Sequence, residues 1–364
     1  MARTNVTQET RDRGSSKARI NMTHGAGGEA MQKLLAEVIL SRLEDNRPEI
    51  GLKELDDSGV MDDIVLTMDG HTVNPLFYPG GDIGKLAVCG TINDICAMGA
   101  EPVALALGLI MEDGLEMDDI SRIMESIGLT CKESGVPVIT GDTKVVEKGA
   151  IDKLMVTTSG IGRMGGCLKK NNSVLQERTS RQQKWLQDCN LKVGDDVIVT
   201  GSLGDHGISL MSFREGYGFE TTLQSDNAPL NKLMAEALSI GGIVSAKDPT
   251  RGGLANSLNE WSSKSGVGIL VKEDELPINQ QVRSASELLG IDPLEVGNEG
   301  KMVIGVIPEM TEEVLAIIRQ NEHGRDARVI GKATDEVKRV VLETVVGGKR
   351  IIEAPVGDPV PRIC

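Results

Sequence analysis

Two tryptophans, two tyrosines and three phenylalanines are all the aromatic residues in a chain of 364. With so few rings, cores must be filled by Val, Ile, Leu, Ala and Met, as in packed mixed α/β domains. No run of Lys or Arg is interleaved with aromatics, and 54 acids against 39 bases leave a net charge of −15. A nucleic-acid surface is thereby excluded. The six cysteines, at 89, 96, 131, 167, 189 and 364, form no CxxC pair and have no histidine near enough for a zinc knuckle. Neither structural zinc nor a disulfide framework is expected. The N-terminus has no charged-then-apolar signal pattern, and no apolar run approaches the ~20 residues that would span a bilayer. The chain therefore reads as cytoplasmic, with reduced thiols. No GxxxxGK[ST] phosphate loop occurs either.

What is abundant is glycine, 43 residues, and periodic apolar pattern, with 40% of the chain hydrophobic. Residues 1–17 are polar and without period, so they are expected to be a disordered extension. Behind Gly28, Met31, Leu34, Leu35, Val38 and Ile39 recur on one helical face. Strands are expected at 64–68, 103–110, 136–140 and 154–161, and helices at 83–98 and 117–134. Polar residues then dominate from 167 to 191, around Trp185, and this stretch reads as a linker between two domains, 18–166 and 192–346. In the second domain, strands are expected near 197–200, 268–271, 302–307 and 337–346, with helices near 227–240, 251–264 and 311–320. The fold class is α/β (α+β) with two domains. From 347 to 364, three prolines exclude regular structure, and a mobile, extended tail ending in Cys364 is expected.

An acidic protein that binds a polyanion must neutralise it locally, with divalent metal and placed lysines. Asp56, Asp57, Asp69, Asp82, Asp94 and Asp142 stand beside glycines or at element ends, where hard cations are held. Each also fits a solvated turn. Gly80-Gly81-Asp82-Ile83-Gly84-Lys85 opens a helix, and Gly141-Asp142-Thr143-Lys144 follows an apolar strand; both resemble phosphate environments. Asn93 and Asp94 lie among apolar neighbours and need partners, which a ligand or a neighbouring loop would supply. Asp248-Pro249-Thr250-Arg251-Gly252-Gly253 and Gly297-Asn298-Glu299-Gly300 read as ligand loops or as plain turns and caps. None of the four histidines invites a role on its own.

Taken together, HGAGGEAM at 24–31, PGGDIGKLAVCGTINDICAMGAEP at 79–102, GDTKVV at 141–146, DPTRGGL at 248–254, NEGK at 298–301 and the terminal PRIC closely resemble the HypE family of hydrogenase-maturation proteins. That family lies in the aminoimidazole-ribonucleotide-synthetase-like (PurM-like) superfamily. The resemblance runs from about residue 20 to the end. It implies a homodimer with an N-terminal ATP-binding domain and ATP and Mg²⁺ near the dimer interface. Cys364 would receive a carbamoyl group from a HypF-like carbamoyltransferase. ATP would drive its dehydration to a thiocyanate, and cyanide would pass to iron on a HypC–HypD-like complex. By the same resemblance Asp57, Asp69, Asp94 and Asp142 hold metal and triphosphate. Asp82, Lys85, Asn93, Gly141 and Thr143 bind nucleotide or phosphate, and Lys144, Glu299 and Asp248 join Cys364 as catalytic candidates. The extension before residue 18 and the 168–190 stretch depart from the family pattern. Two alternatives stay open: another PurM-like small-molecule kinase, or a non-catalytic carrier scaffold.

Overall fold

A computed structural model describes residues 19–25, 28–43, 48–214, 222–357 and 360. The N-terminal extension, residues 361–364 with Cys364, and part of the 24–31 motif lie outside the described residues. The first helix, α1 (Glu29–Leu34), runs on into a wider turn at Leu35–Ile39.

The first sheet is built from β1 (Gly59–Met61), β2 (Ile64–His71), β5 (Glu101–Glu112), β6 (Val138–Val146) and β7 (Leu154–Arg163), in the order β1-β2-β7-β5-β6; a short hairpin, β3 (Phe77–Tyr78) with β4 (Gly81–Asp82), precedes α2. Only β5 and β6 pair in parallel. Its inner face is covered by α2 (Ile83–Ala97), against which α3 (Met117–Ser134) packs. α2 is apolar on nearly every side because it is sandwiched, with the sheet on one flank and α6 and β9 of the second domain on the other. Asp82 caps it, accepting from Gly84 N at 2.7 Å and Lys85 N at 3.2 Å. Gly84 is small because a β-carbon there would stand 2.8 Å from the Ile123 carbonyl on α3. The sheet's outer face is apolar and, among the described residues, uncovered, with Ile64, Leu66, Met68, Ile139 and Val145 all exposed.

The polar stretch expected as a linker is an integral part of the core. α4 (Gly166–Thr179) packs on α6, and Trp185 and Leu186 are buried. Asn171 explains how a polar helix can be buried there: its amide donates to the Ile243 carbonyl and accepts from the Ile243 N–H, both at 2.8 Å.

The second domain contains β8 (Asp196–Val199), α5 (Asp205–Phe213), α6 (Asn231–Ile240), β9 (Ile243–Lys247), α7 (Gly253–Ser265), β10 (Gly268–Lys272), α8 (Gln280–Leu289), β11 (Val303–Val306), α9 (Thr311–Ile318), β12 (Arg328–Thr334), β13 (Val340–Glu343) and β14 (Lys349–Ile351). The sheet order is β14-β13-β10-β12-β8-β11-β9, with β10 and β13 parallel and the other pairs antiparallel. One continuous apolar core runs through both domains. Among the described residues no helix is long and apolar enough to cross a membrane.

The described part of the tail is docked, contrary to the expectation of mobility. Ile352 is buried, donates to Val340 O at 2.9 Å and accepts from Asn259 at 3.0 Å. Pro355 lies against Gly28 and Gly252, and Val360 is fully buried. Proline and glycine exclude helix from this segment, but its apolar side chains still find sites to fill.

Candidate active site

Alternation along β2 turns Thr67, Asp69 and His71 to the face that meets α2. Thr67 Oγ1 donates to Asp94 Oδ2 on α2, and Thr91 Oγ1 of the same helix donates to Asp69 Oδ2, each at 2.7 Å. Asp57 arrives from the loop before β1, and Asp248 from the loop that follows β9. These four carboxylates share the wall of a cavity of about 320 Å³ at the domain junction, with Lys247 and Arg251.

So much like charge in a small buried volume is costly, and the carboxyls register it. Burial, with Asp69, Asp248 and Asp57 adding, holds Asp94 well above the ordinary carboxylate range. Burial raises Asp57 well above that range too, although Lys247 Nζ stands 2.7 Å away. Asp248 is pushed up to about 6, by burial first and by Asp69 in part. Glu299 is raised well above its usual range by burial, then by Asp248 and Asp226, and its Oε1 is buried without a hydrogen-bond partner. Carboxylates that repel one another in a cavity suit a hard divalent cation, which takes oxygen ligands and keeps waters and phosphate oxygens for the rest. Among the described residues no three acid, histidine or cysteine side chains already form a metal cage. The donor chemistry therefore fits such an ion completed by ligand and water, without a cage made only of protein.

A second layer of charge supports this wall. Lys247 is buried and reaches Asp57, Asp188 at 3.2 Å and Glu260 at 3.1 Å. Burial opposes its charge, but the three carboxylates win and raise its pKa well above the usual range. Asp188, from the segment after α4, also accepts from Lys264 Nζ at 2.7 Å and Trp261 Nε1 at 2.8 Å. Burial works against the Asp188 anion; the two ammonium groups outweigh it and hold its pKa low.

Several residues singled out from the sequence sit elsewhere. Asp142 and its neighbours Gly141, Thr143 and Lys144 lie within β6, not after it, on an exposed edge strand outside the cavity. Gly141 is small because the Leu107 carbonyl of β5 occupies the place of a β-carbon. Asp82 spends its carboxylate on the cap of α2, and Lys85, on the first turn of that helix, is not among the cavity's lining residues. Asn93 is a brace: it donates to Ala228 O at 3.1 Å and Glu299 O at 3.3 Å and accepts from Leu230 N at 2.9 Å. Lys247, Asp188 and Lys264 went unnoticed in the sequence. The signal available was a charged residue ending an apolar strand, Ile243–Lys247, immediately before Asp248.

The fold is that of the AIR synthase related proteins: the family model for their N-terminal domain matches residues 55–164, and that for their C-terminal domain matches 192–343. The chain is 46% identical over 353 residues to a putative hydrogenase expression/formation protein of Methanocaldococcus jannaschii, covering 95% of this chain and all of that one. It is 41% identical over 351 residues to the carbamoyl dehydratase HypE of Azotobacter vinelandii, covering 95% of this chain and 97% of that one. A crystal structure of a HypE–HypF complex superposes with a TM-score of 0.80 at 40% identity, covering 88% of this chain and 99% of that one. One of HypE in complex with ATP gives 0.75 at 36% identity, covering 94% and 99%. Within the AIR synthase related proteins, the chain belongs to the HypE family of carbamoyl dehydratases.

Proposed function

We propose that this chain is an ATP-dependent dehydratase that converts an S-carbamoyl group on Cys364 to a thiocyanate, the cyanide source for a hydrogenase iron centre. The observation that carries the reading is the meeting of three features. These are the carboxylate-lined cavity, a buried Glu299 carboxyl with an unpartnered oxygen that lies outside the lining but near enough for Asp248 and Asp69 to raise its pKa, and a C-terminal tail laid over Gly252, next to Arg251 in the cavity wall.

Expelling hydroxide from the carbamoyl carbon is difficult. ATP supplies a phosphoryl group to the carbamoyl oxygen, so that phosphate departs and ADP is left. Asp57, Asp69, Asp94 and Asp248 would hold Mg²⁺ against the triphosphate, each relieved of its neighbours' repulsion. As its oxygen is phosphorylated the carbamoyl group gives up one nitrogen proton to become an O-phosphoryl imidate, and Glu299, in its ionised form a strong base for a carboxylate because it is buried, takes the second as phosphate leaves and the C≡N bond forms. The enclosed junction limits hydrolysis of the activated group.

The uncovered apolar face of the first sheet supports a homodimer, since exposed patches of this kind mark interaction sites. The β6 edge belongs to that sheet, so Asp142, Thr143 and Lys144 reach a nucleotide only in the cavity of a second subunit. A HypF-like carbamoyltransferase loads Cys364, and a HypC–HypD-like complex receives the cyanide, in the cytoplasm.

Intact-mass analysis of the carbamoylated protein with MgATP should show loss of one water, abolished by Glu299→Gln. An unchanged mass while ATP is bound would leave the chain a carrier scaffold.

A further inference from the structure

Asp57 is claimed twice. It lines the cavity whose carboxylates suit a divalent cation, and its Oδ1 is already held by the Lys247 ammonium at 2.7 Å. Lys247 is a lining residue too, with a side chain only 7% exposed, so its charge stands at the cavity wall and is shielded from bulk water.

The same ammonium has two further partners, and both are held ready. Asp188 Oδ2 lies 3.2 Å away and also accepts from Lys264 at 2.7 Å, while Asp188 Oδ1 accepts from Trp261 Nε1 at 2.8 Å. Glu260 Oε2 lies 3.1 Å away, and its Oε1 accepts from the Asn256 amide at 3.1 Å. Of the three carboxylates on Lys247, only Asp57 belongs to the set with Asp69, Asp94 and Asp248. The lysine can therefore give up that one contact and keep two.

An ammonium and a divalent cation on one carboxylate repel each other, and a buried site screens the repulsion poorly. A bare ion entering beside Asp69 and Asp94 meets Lys247 as a competitor for Asp57. An ion that arrives with triphosphate brings negative charge of its own, which lowers that repulsion.

We propose that Lys247 is a resident counter-cation: it keeps bare divalent metal out of the cavity, and it releases Asp57 to a metal that enters with a triphosphate. This rests on the reading of the cavity as the magnesium and ATP site. Lys247 acts through Asp57 and is a positioning residue. Its consequence is that metal and nucleotide bind as one unit, although four carboxylates stand ready for the ion alone.

The test is Mn²⁺ binding, read from the electron paramagnetic resonance signal of the free ion, which needs no turnover. Without nucleotide, Lys247→Met should bind Mn²⁺ about tenfold or more tighter than wild type, and with both proteins saturated by a non-hydrolysable ATP analogue the difference should shrink to about threefold or less. Lys247→Arg keeps the charge and should match wild type. Lys247→Met combined with Asp188→Asn removes the ammonium together with one of its acids; it guards against misfolding, leaves net charge unchanged and should show the same tightening. Equal Mn²⁺ affinities of wild type and both lysine-free proteins without nucleotide would overturn the counter-cation and leave the metal site standing. Failure of wild type to bind Mn²⁺ even with the analogue would overturn the magnesium and ATP reading, and the counter-cation with it.

Discussion

Lys247 and Asp57 meet across the domain junction, ammonium to carboxylate at 2.7 Å, one ending the β9 strand and the other in the loop before β1. Each is largely buried; burial still holds the Asp57 carboxyl above its ordinary range, whereas Asp57, Asp188 and Glu260 together keep the Lys247 ammonium charged. The same ammonium reaches Asp188 and Glu260, so one lysine compensates three acids at the wall of the cavity.

Lys247→Met should therefore destabilise the protein by about 3–5 kcal/mol, because it leaves buried carboxylates unpaired. Urea unfolding at neutral pH measures this. A loss below about 1 kcal/mol would mean that water or a rearranged Lys264 already serves these acids.

Asp248 sets a pH dependence. Its carboxyl is pushed up to about 6 in the folded chain against 3.8 for a free aspartate, so between those values the folded state holds the extra proton. Stability of the ligand-free protein should fall as pH rises from about 4 to 6, by up to about 3 kcal/mol from this group. Asp248→Asn removes that part of the slope. Melting curves across the range check it, and an unaltered slope in the variant would put the titration elsewhere.

Asp82 offers a separation of roles. Asparagine also caps helices, so Asp82→Asn should leave stability nearly unchanged, whereas Asp82→Ala should cost about 1 kcal/mol. If Asp82→Asn abolishes ATP turnover at unchanged stability, the carboxylate has a task in the reaction beyond the cap.

Leu66→Asp and Met68→Asp place charge on the open face of the first sheet, where both side chains are exposed. Monomers by light scattering, with unchanged circular dichroism, are the expected result for both. A dimer that persists in both variants would place the subunit contact on another surface.

Much of the fold was legible because period and length are local properties. The strands at 154–161 and 268–271 and the helix at 117–134 correspond to β7, β10 and α3 within a few residues. α5 escaped because Asp205–Met211 is buried throughout and carries no amphipathic stripe. The 167–191 stretch looked like a linker because its polar residues are satisfied by distant backbone, as Asn171 is by Ile243, and such pairing leaves no trace in composition.

The cavity was legible in some of its acids, while the glycines misled. Asp57, Asp69 and Asp94 of the expected metal set line one cavity together with Asp248, expected as a catalytic residue, whereas Asp142 lies on an edge strand outside it. Gly84 and Gly141, which looked like room for phosphate, are small because Ile123 and Leu107 crowd them. A glycine that admits a ligand and one that admits a neighbouring backbone look the same in one dimension.

Asn93 and Asp94 are adjacent on one helix, the first tied to residues 228, 230 and 299 of the second domain, the second in the cavity wall. A ligand that pulls on Asp94 pulls on the clamp beside it. Occupancy of the cavity and rigidity of the domain junction are then one mechanical variable, and amide exchange at Leu230 becomes a gauge of what the cavity holds.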